Sequence, residues 1–248
     1  MIIADQISSF GSYVKLMGRV FTRPDRFKLF AKSTVREYNS LVIDSIGIVC
    51  LISLFIGAVC CIQIQSKMFS PLLPRYTLGF TTREILILEF SSSIIALILA
   101  GKVGSNIASE IGTMRITEQI DALDIMGVNS ANYLILPKIV AMVLGMPMLG
   151  IFSIFLGLIG GGLIAQLFGT LPVSDYVYGI QSFFEPSSVW YSLKKCLFYG
   201  FLISSIASYF GYTVKGGATQ VGKAATDSVV ITSVMILLWD IILTKILI

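Results

Sequence analysis

The sequence predicts an all-α integral membrane protein. It should have an N-terminal amphipathic helix on the membrane surface, about five transmembrane helices, and a short cytoplasmic helix between two of them. Three observations predict this. First, 55% of the 248 residues are hydrophobic and mean hydropathy is +0.86. Only 13% are charged, about half the share of a soluble domain, which excludes both an ordinary soluble globule and a disordered chain. Second, five runs meet or approach the roughly 20 apolar residues that a helix needs to cross a bilayer core of about 30 Å. Third, the basic residues are shared unequally among the connecting segments.

The elements follow in order. Ile3, Ile7, Phe10, Val14, Met17 and Phe21 recur at spacings of 4, 3, 4, 3 and 4, one apolar face of a helix, with Ser8, Ser12, Lys15 and Arg19 off the stripe. A basic amphipathic helix of this kind, over residues 1–23, lies in the interface, and Pro24 ends it. It lacks the compact apolar stretch and cleavage site of a signal peptide. The spans are expected at 41–64, where only Asp44 is charged, at 85–107, with Glu89 and Lys102, and at 133–168. The last two fall at 196–214 and at 229–248, the latter with Asp240 and Lys245. The final 30 residues of the third run carry no charge and would reach ~45 Å as a helix, so the run must tilt, project or break. Pro147 and the group Gly157, Gly160, Gly161 and Gly162 are the expected places to bend. Gly157 and Gly161 also form a G-x-x-x-G pair suited to close helix contact.

Five spans place 1–40, 102–138 and 211–228 on one side, with twelve Lys and Arg against six on the other. The N-terminus is therefore expected in the cytoplasm and the C-terminus outside. Tyr176, Tyr178, Phe183, Phe184, Trp190 and Tyr191 fall in the outer segment between spans three and four, where aromatic rings suit the headgroup level. The chain reads as a single domain, 1–248, without a soluble portion. Five spans do not divide into equal halves, which counts against an inverted-repeat secondary transporter.

Composition also limits the chemistry. There is no His, which removes the commonest general base and every His-based zinc site. Cys50, Cys60, Cys61 and Cys196 lie in or beside apolar runs without C-x-x-C spacing and read as small buried hydrophobes. Residues 1–40 hold seven Lys and Arg beside an apolar span, a pattern that faces anionic lipid rather than nucleic acid. Gly217–Ala224 nearly spells a phosphate-cradling loop, but Ala224 offers no hydroxyl to Mg²⁺ and no strand precedes it. Glu89 and Asp240 are costly inside a membrane, about 2.5–3.5 kcal/mol each on insertion scales, and should face protein or a watery cavity. Leu86, Phe90 and Trp239 are their apolar neighbours.

The segment 109–127 stands apart, with four acids and one base. Ile116, Ile120 and Leu123 share one helical face, and Glu118, Asp121 and Asp124 lie at three-residue steps on another. An acidic amphipathic helix suits a groove on a soluble protein better than an anionic leaflet.

The run Ala100–Val128 (A-G-K-V-G-S-x-x-A-S-E-I-G-T-M-R-I-T-E-Q-I-D-A-L-D-I-M-G-V), followed by Pro137-Lys138, resembles the signature of the MlaE (YrbE) family, permease subunits of ABC-type phospholipid transporters that work with MCE proteins. Gly216–Val230 matches as well. The resemblance implies a homodimer in the bacterial inner membrane. Two ATPase subunits (MlaF-like) would bind on the cytoplasmic side, a periplasmic MCE ring (MlaD-like) on the other, and in some systems a STAS-domain protein (MlaB-like) would join them. It implies no cofactor on this chain, with ATP and Mg on the ATPase. It casts segment 109–127 as the coupling helix, its role carried by Glu110, Gly112, Met114, Arg115, Ile116, Glu118, Gln119, Ile120, Asp121 and Leu123. Phospholipid would sit between the two permease subunits near the periplasmic half, and Leu86, Glu89, Phe90, Trp239 and Asp240 become the lipid-path candidates. Two departures stand out. The family's R-E-L-G-P becomes Leu88-Glu89-Phe90-Ser91-Ser92, and its A-G-R becomes Ala100-Gly101-Lys102. The alternative is a proton- or ion-coupled secondary transporter built on Glu89 and Asp240, and a membrane-embedded lipid enzyme ranks third.

Overall fold

The structure is a computed structural model that describes residues 2–22, 27–67, 74, 76–168 and 171–247. Pro24 and Ile248 lie outside them, as do the side chains of Ile3 and Ile7. Among the described residues all regular structure is helical. The elements are α1 (Ile2–Val20), α2 (Phe27–Tyr38), α3 (Asp44–Lys67), α4 (Thr77–Ile85), α5 (Ile95–Leu99), α6 (Ser105–Ile116), α7 (Gln119–Ile125), α8 (Ser130–Leu167), α9 (Val173–Gln181), α10 (Pro186–Tyr212) and α11 (Ala218–Leu247). Wider π-helical segments at Asn39–Ile43, Leu86–Ile94 and Ala100–Gly104 join α2 to α3 and α4 to α5 to α6, which makes two continuous rods.

Four helical stretches are long and apolar enough to cross a membrane: Phe27–Lys67, Thr77–Ile116, Ser130–Leu167 and Ala218–Ile246. Each is longer than the expected span that it overlaps, and each begins before it. The expected fourth span, 196–214, overlaps α10, which starts ten residues earlier and ends two residues sooner; its 27 residues would extend roughly 40 Å. It is less apolar for a visible reason: α10 packs against α6, α8 and α11 and buries Ser204, Ser205 and Ser208 in protein rather than lipid. Ser204 Oγ donates to the carbonyl of Gly200 at 2.7 Å, so its hydroxyl needs no outside partner.

Of the three outcomes open to the third span, breakage is excluded. α8 is one 38-residue helix that includes both Pro137 and Pro147. Its glycines let α3 approach. A Cβ on Gly57 would stand 1.8 Å from the carbonyl oxygen of Gly157, and one on Gly160 would stand 2.1 Å from that of Leu54. Gly161 instead receives the phenol of Tyr176 from α9.

The N-terminal helix forms where the sequence predicts it and turns two sides to different surroundings. Its protein-facing side is Leu16, Met17 and Val20, whereas Phe10, Val14 and Phe21 of the predicted stripe stay exposed. A helix at a membrane surface can use one apolar side for protein and another for acyl chains. Its C-terminal carbonyls are held by α8 and the residue before it: Asn132 Nδ2 donates to the oxygens of Val20 and Thr22, each at 2.7 Å, and Asn129 Nδ2 donates to that of Arg19 at 2.9 Å.

The α3–α8 contact gives a test. Gly160→Val would drive a methyl-bearing carbon into the α3 backbone, which cannot move aside, so a loss of 3 kcal/mol or more is expected, the upper end of about 1–3 kcal/mol for overpacking. Gly47→Ala on α3 meets open space and should be neutral or stabilising by up to about 1 kcal/mol. Thermal unfolding in nanodiscs reads both.

Candidate functional site

Three helices bring one cation and two carboxylates together within the spans. Glu89 comes from the π-helical segment Leu86–Ile94, Lys195 from α10 and Asp240 from α11. Lys195 Nζ lies 2.7 Å from Asp240 Oδ1 and 3.1 Å from Glu89 Oε2. Around it, Tyr199 Oη donates to Asp240 Oδ1 at 2.6 Å, and Tyr191 Oη donates to Thr244 Oγ1 at 3.0 Å. The Lys195 ammonium also sits 4.8 Å above the Tyr191 ring. The arrangement follows from helical spacing: Tyr191, Lys195 and Tyr199 share one face of α10, and Asp240 and Thr244 share one face of α11. Two carboxylates against one ammonium leave an excess negative charge. Lys195 has no exposed side-chain surface, but 39% of Glu89 is open. The cluster lies about 10–14 Å inside the ends of α10 and α11 nearest α9, at 1.5 Å per residue.

Sequence reasoning placed Glu89 and Asp240 here but missed Lys195, because the expected fourth span began one residue later, at Cys196. The signal was available in the four-residue spacing Tyr191, Lys195, Tyr199, had the helix been started at Pro186. Lys102 is not the partner; its ammonium donates to the backbone oxygen of Asp44 at 2.5 Å. Of the apolar candidates, Trp239 packs on Phe198 with ring centroids 4.8 Å apart. Phe90 lines a cavity of about 360 Å³ with Ile64, Lys67 and Thr81. Leu86 does not line a path: it is buried and pressed against Gly157 of α8.

The segment 109–127 is not the single amphipathic helix that its periodicity predicts. Helix α6 ends at Ile116, Glu118 takes a left-handed conformation (φ 60°), and α7 starts again at Gln119. The turn resets the register, so Ile116, Ile120 and Leu123 no longer form an outward face: Ile120 is fully buried in the chain's own core, and Ile116 and Leu123 are partly buried. Gly112 is also buried, against Val221 of α11. Met114 is half-buried, and Glu110 turns to Lys138, with Glu110 Oε2 2.7 Å from Nζ. Arg115 bridges the break to Asp121 at 2.5 Å. The exposed residues at the apex include Glu118, Gln119, Asp121, Asp124, Ile125 and Met126, with Ile125 at 87%. Gly127, with φ 77°, turns the chain back toward α8. The near phosphate loop is ordinary helix, since Gly222, Lys223 and Ala224 all lie in α11.

A multi-pass helical bundle with a charged cluster among its spans describes a class of membrane transport protein. Comparison with known proteins gives the family: residues 34–246 match the family model "Permease MlaE", and the chain belongs to that family of ABC transporter permeases. It is 35% identical over 234 residues to a probable ABC transporter permease protein of Rickettsia bellii, covering 89% of this chain and 90% of that one. A probable ABC transporter permease protein of Synechocystis is 32% identical over 215 residues, covering 87% and 81%. The chloroplast protein Trigalactosyldiacylglycerol 1 of Arabidopsis thaliana is 28% identical over 230 residues, covering 93% of this chain and 65% of its own length.

Two tests follow. Lys195→Met leaves two carboxylates facing each other and should cost about 3–5 kcal/mol, the usual loss on breaking a buried pair. Adding Glu89→Gln and Asp240→Asn should recover most of it, and no recovery in thermal unfolding would show that Lys195 serves packing rather than charge. At the break, Glu118→Gly should be tolerated, whereas Glu118→Val forces a branched side chain to positive φ and should cost about 1–2 kcal/mol.

Proposed function

We propose that this chain is the permease of an ABC-type phospholipid transporter, which acts as a homodimer and moves phospholipid between the bacterial inner membrane and the periplasm or outer membrane. The observation that carries the reading is the Glu89–Lys195–Asp240 cluster. A carboxylate 39% exposed on a transmembrane surface is too costly to face acyl chains, so protein or a polar cavity must cover it. A second copy related by a two-fold axis would bring two such clusters to one cavity, the commonest closed assembly. That cavity would offer the partly exposed carboxylate of Glu89 to a headgroup. Leu237, Leu238 and Ile241, exposed on α11 near the cluster, would offer apolar surface to acyl chains.

Energy would come from a separate ATPase (MlaF-like) that holds ATP and Mg and docks at the α6–α7 apex in the cytoplasm. The apex offers Ile125 and Met126 as apolar anchors and Glu118, Gln119 and Asp121 as polar contacts. The basic-residue count supports a cytoplasmic N-terminus and a C-terminus outside. A periplasmic MCE protein (MlaD-like), and possible recruitment of a STAS-domain protein (MlaB-like), belong to the same proposal. The name of the Arabidopsis relative contains a glycerolipid, which supports a lipid cargo here. The pairing of Glu89 and Asp240 with Lys195 counts against the ion-coupled alternative, which needs a carboxylate free to take up a proton.

The experiment is co-purification followed by lipid-stimulated ATPase activity in nanodiscs. Glu118→Lys with Asp121→Lys, and separately Ile125→Asp, should weaken ATPase retention by about tenfold or more, as for a central interface contact. The variants should still insert and dimerise. Wild-type retention and coupling in both would sink the permease–ATPase reading of this apex.

A further inference from the structure

A second buried ammonium lies at the other end of the bundle. Lys138, on α8, is 2% exposed and holds Glu37 Oε2 of α2 at 2.6 Å and Glu110 Oε2 of α6 at 2.7 Å. These three residues line a cavity of about 380 Å³ between α2, α6 and α8, with Arg36, Asn106 and Tyr133 at its margin. Lys138 uses one oxygen of each carboxylate, and among the described residues the other oxygen of each accepts no bond. The floor therefore carries a net negative charge with two open acceptors. Arg36 is exposed, and no ion pair engages it among the described residues. The cavity thus holds an acceptor pair for a cation and a separate guanidinium for an anion.

Its depth points to the ligand. Lys138 closes the charge-free stretch of α8, so it marks the edge of the hydrocarbon. Tyr133, one turn further out and 45% exposed, sits where aromatic side chains meet headgroups. Val35 on α2 is 62% exposed beside Arg36 and gives an acyl chain an apolar surface to follow.

We propose that this cavity binds the headgroup of a zwitterionic phospholipid bearing a primary amine, from the leaflet on the α7 side. The ammonium would donate to the free oxygens of Glu37 and Glu110, and the phosphate would accept from the guanidinium of Arg36. A primary ammonium has three N–H donors for two acceptors, whereas a trimethylated one has none. The site therefore selects phosphatidylethanolamine over phosphatidylcholine. The assignment is independent of lipid transport and of the Glu89–Lys195–Asp240 cluster.

The test uses the full chain in phosphatidylcholine nanodiscs doped with a photoactivatable phosphatidylethanolamine, with labelled peptides mapped by mass spectrometry. Label is expected within 33–40 and 133–138, and Arg36→Ala should reduce it about tenfold, the factor for losing one charge-assisted hydrogen bond. Arg36 is exposed, so its loss does not threaten folding; Glu37→Gln, which keeps the shape, should reduce labelling as well. Equal labelling by a phosphatidylcholine probe, or undiminished labelling of Arg36→Ala, overturns the proposal. Displacement by soluble phosphoethanolamine would assign the pocket to a free metabolite and overturn the lipid source.

Discussion

Hydrocarbon gives a charge nothing to bind, and this constraint organises the bundle. A charged side chain at span depth must find its partner within protein, so each buried cation fixes the helices around it. Lys195 ties α10 to the π-helical segment 86–94 and to α11. Lys138 ties α8 to α2 and α6. Neither tie is best read as net stabilisation, because desolvating the ions offsets most of the attraction. Their effect is specificity: any other register of these helices would leave a charge unpaired in lipid. The close approach of α3 and α8 serves the same end by other means. In lipid the helices gain little from burying apolar surface, so backbone contact across Gly57, Gly157 and Gly160 replaces it.

The composition and the apolar runs made the fold class legible, since a chain this apolar has few ways to satisfy its backbone other than as helices in a bilayer. The residues that sequence reasoning misplaced share a cause. Ile116, Ile120 and Leu123 fit one helical face only while the register is unbroken, and a single left-handed residue, Glu118, breaks it. Nothing in the side chain of Glu announces positive φ. Lys195 was missed because the expected span began at Cys196, whereas α10 starts at Pro186 and carries the paired lysine inside it. α10 looked shorter and more polar than its neighbours because its serines face other helices. In each case the deciding fact was what a neighbouring helix supplied, which periodicity along one helix cannot report.

The N-terminal stripe and the third span each left a choice that the sequence could not make. Phe10, Val14 and Phe21 form an apolar face, but in a membrane an apolar face has two possible destinations, protein and lipid. Pro147 is a helix breaker in water, yet α8 runs through it. Inside a bundle, neighbouring helices and local adjustment can satisfy the carbonyl that proline releases.

The two ion clusters share one structural member. The rod Thr77–Ile116 carries Glu89 toward one end and Glu110 toward the other, and it leads directly into the Glu118 break and the exposed apex. Between Glu89 and Glu110 the rod includes the π-helical segment Ala100–Gly104, with Gly101 and Gly104, where wider turns weaken the regular hydrogen-bond ladder. Under the permease reading, a displacement of the apex would have this rod as its route. The end of the rod near the apex is held by Lys138 and the end near α9 by Lys195, with the π-helical segment Ala100–Gly104 between the two ties. A rotation of the rod would change the geometry of Glu89 against Lys195 and Asp240 and would load the Lys138–Glu110 tie to α8. Chemistry at the apex would then reach the polar cluster through one helix, because Glu110 and Glu89 lie on the same rod.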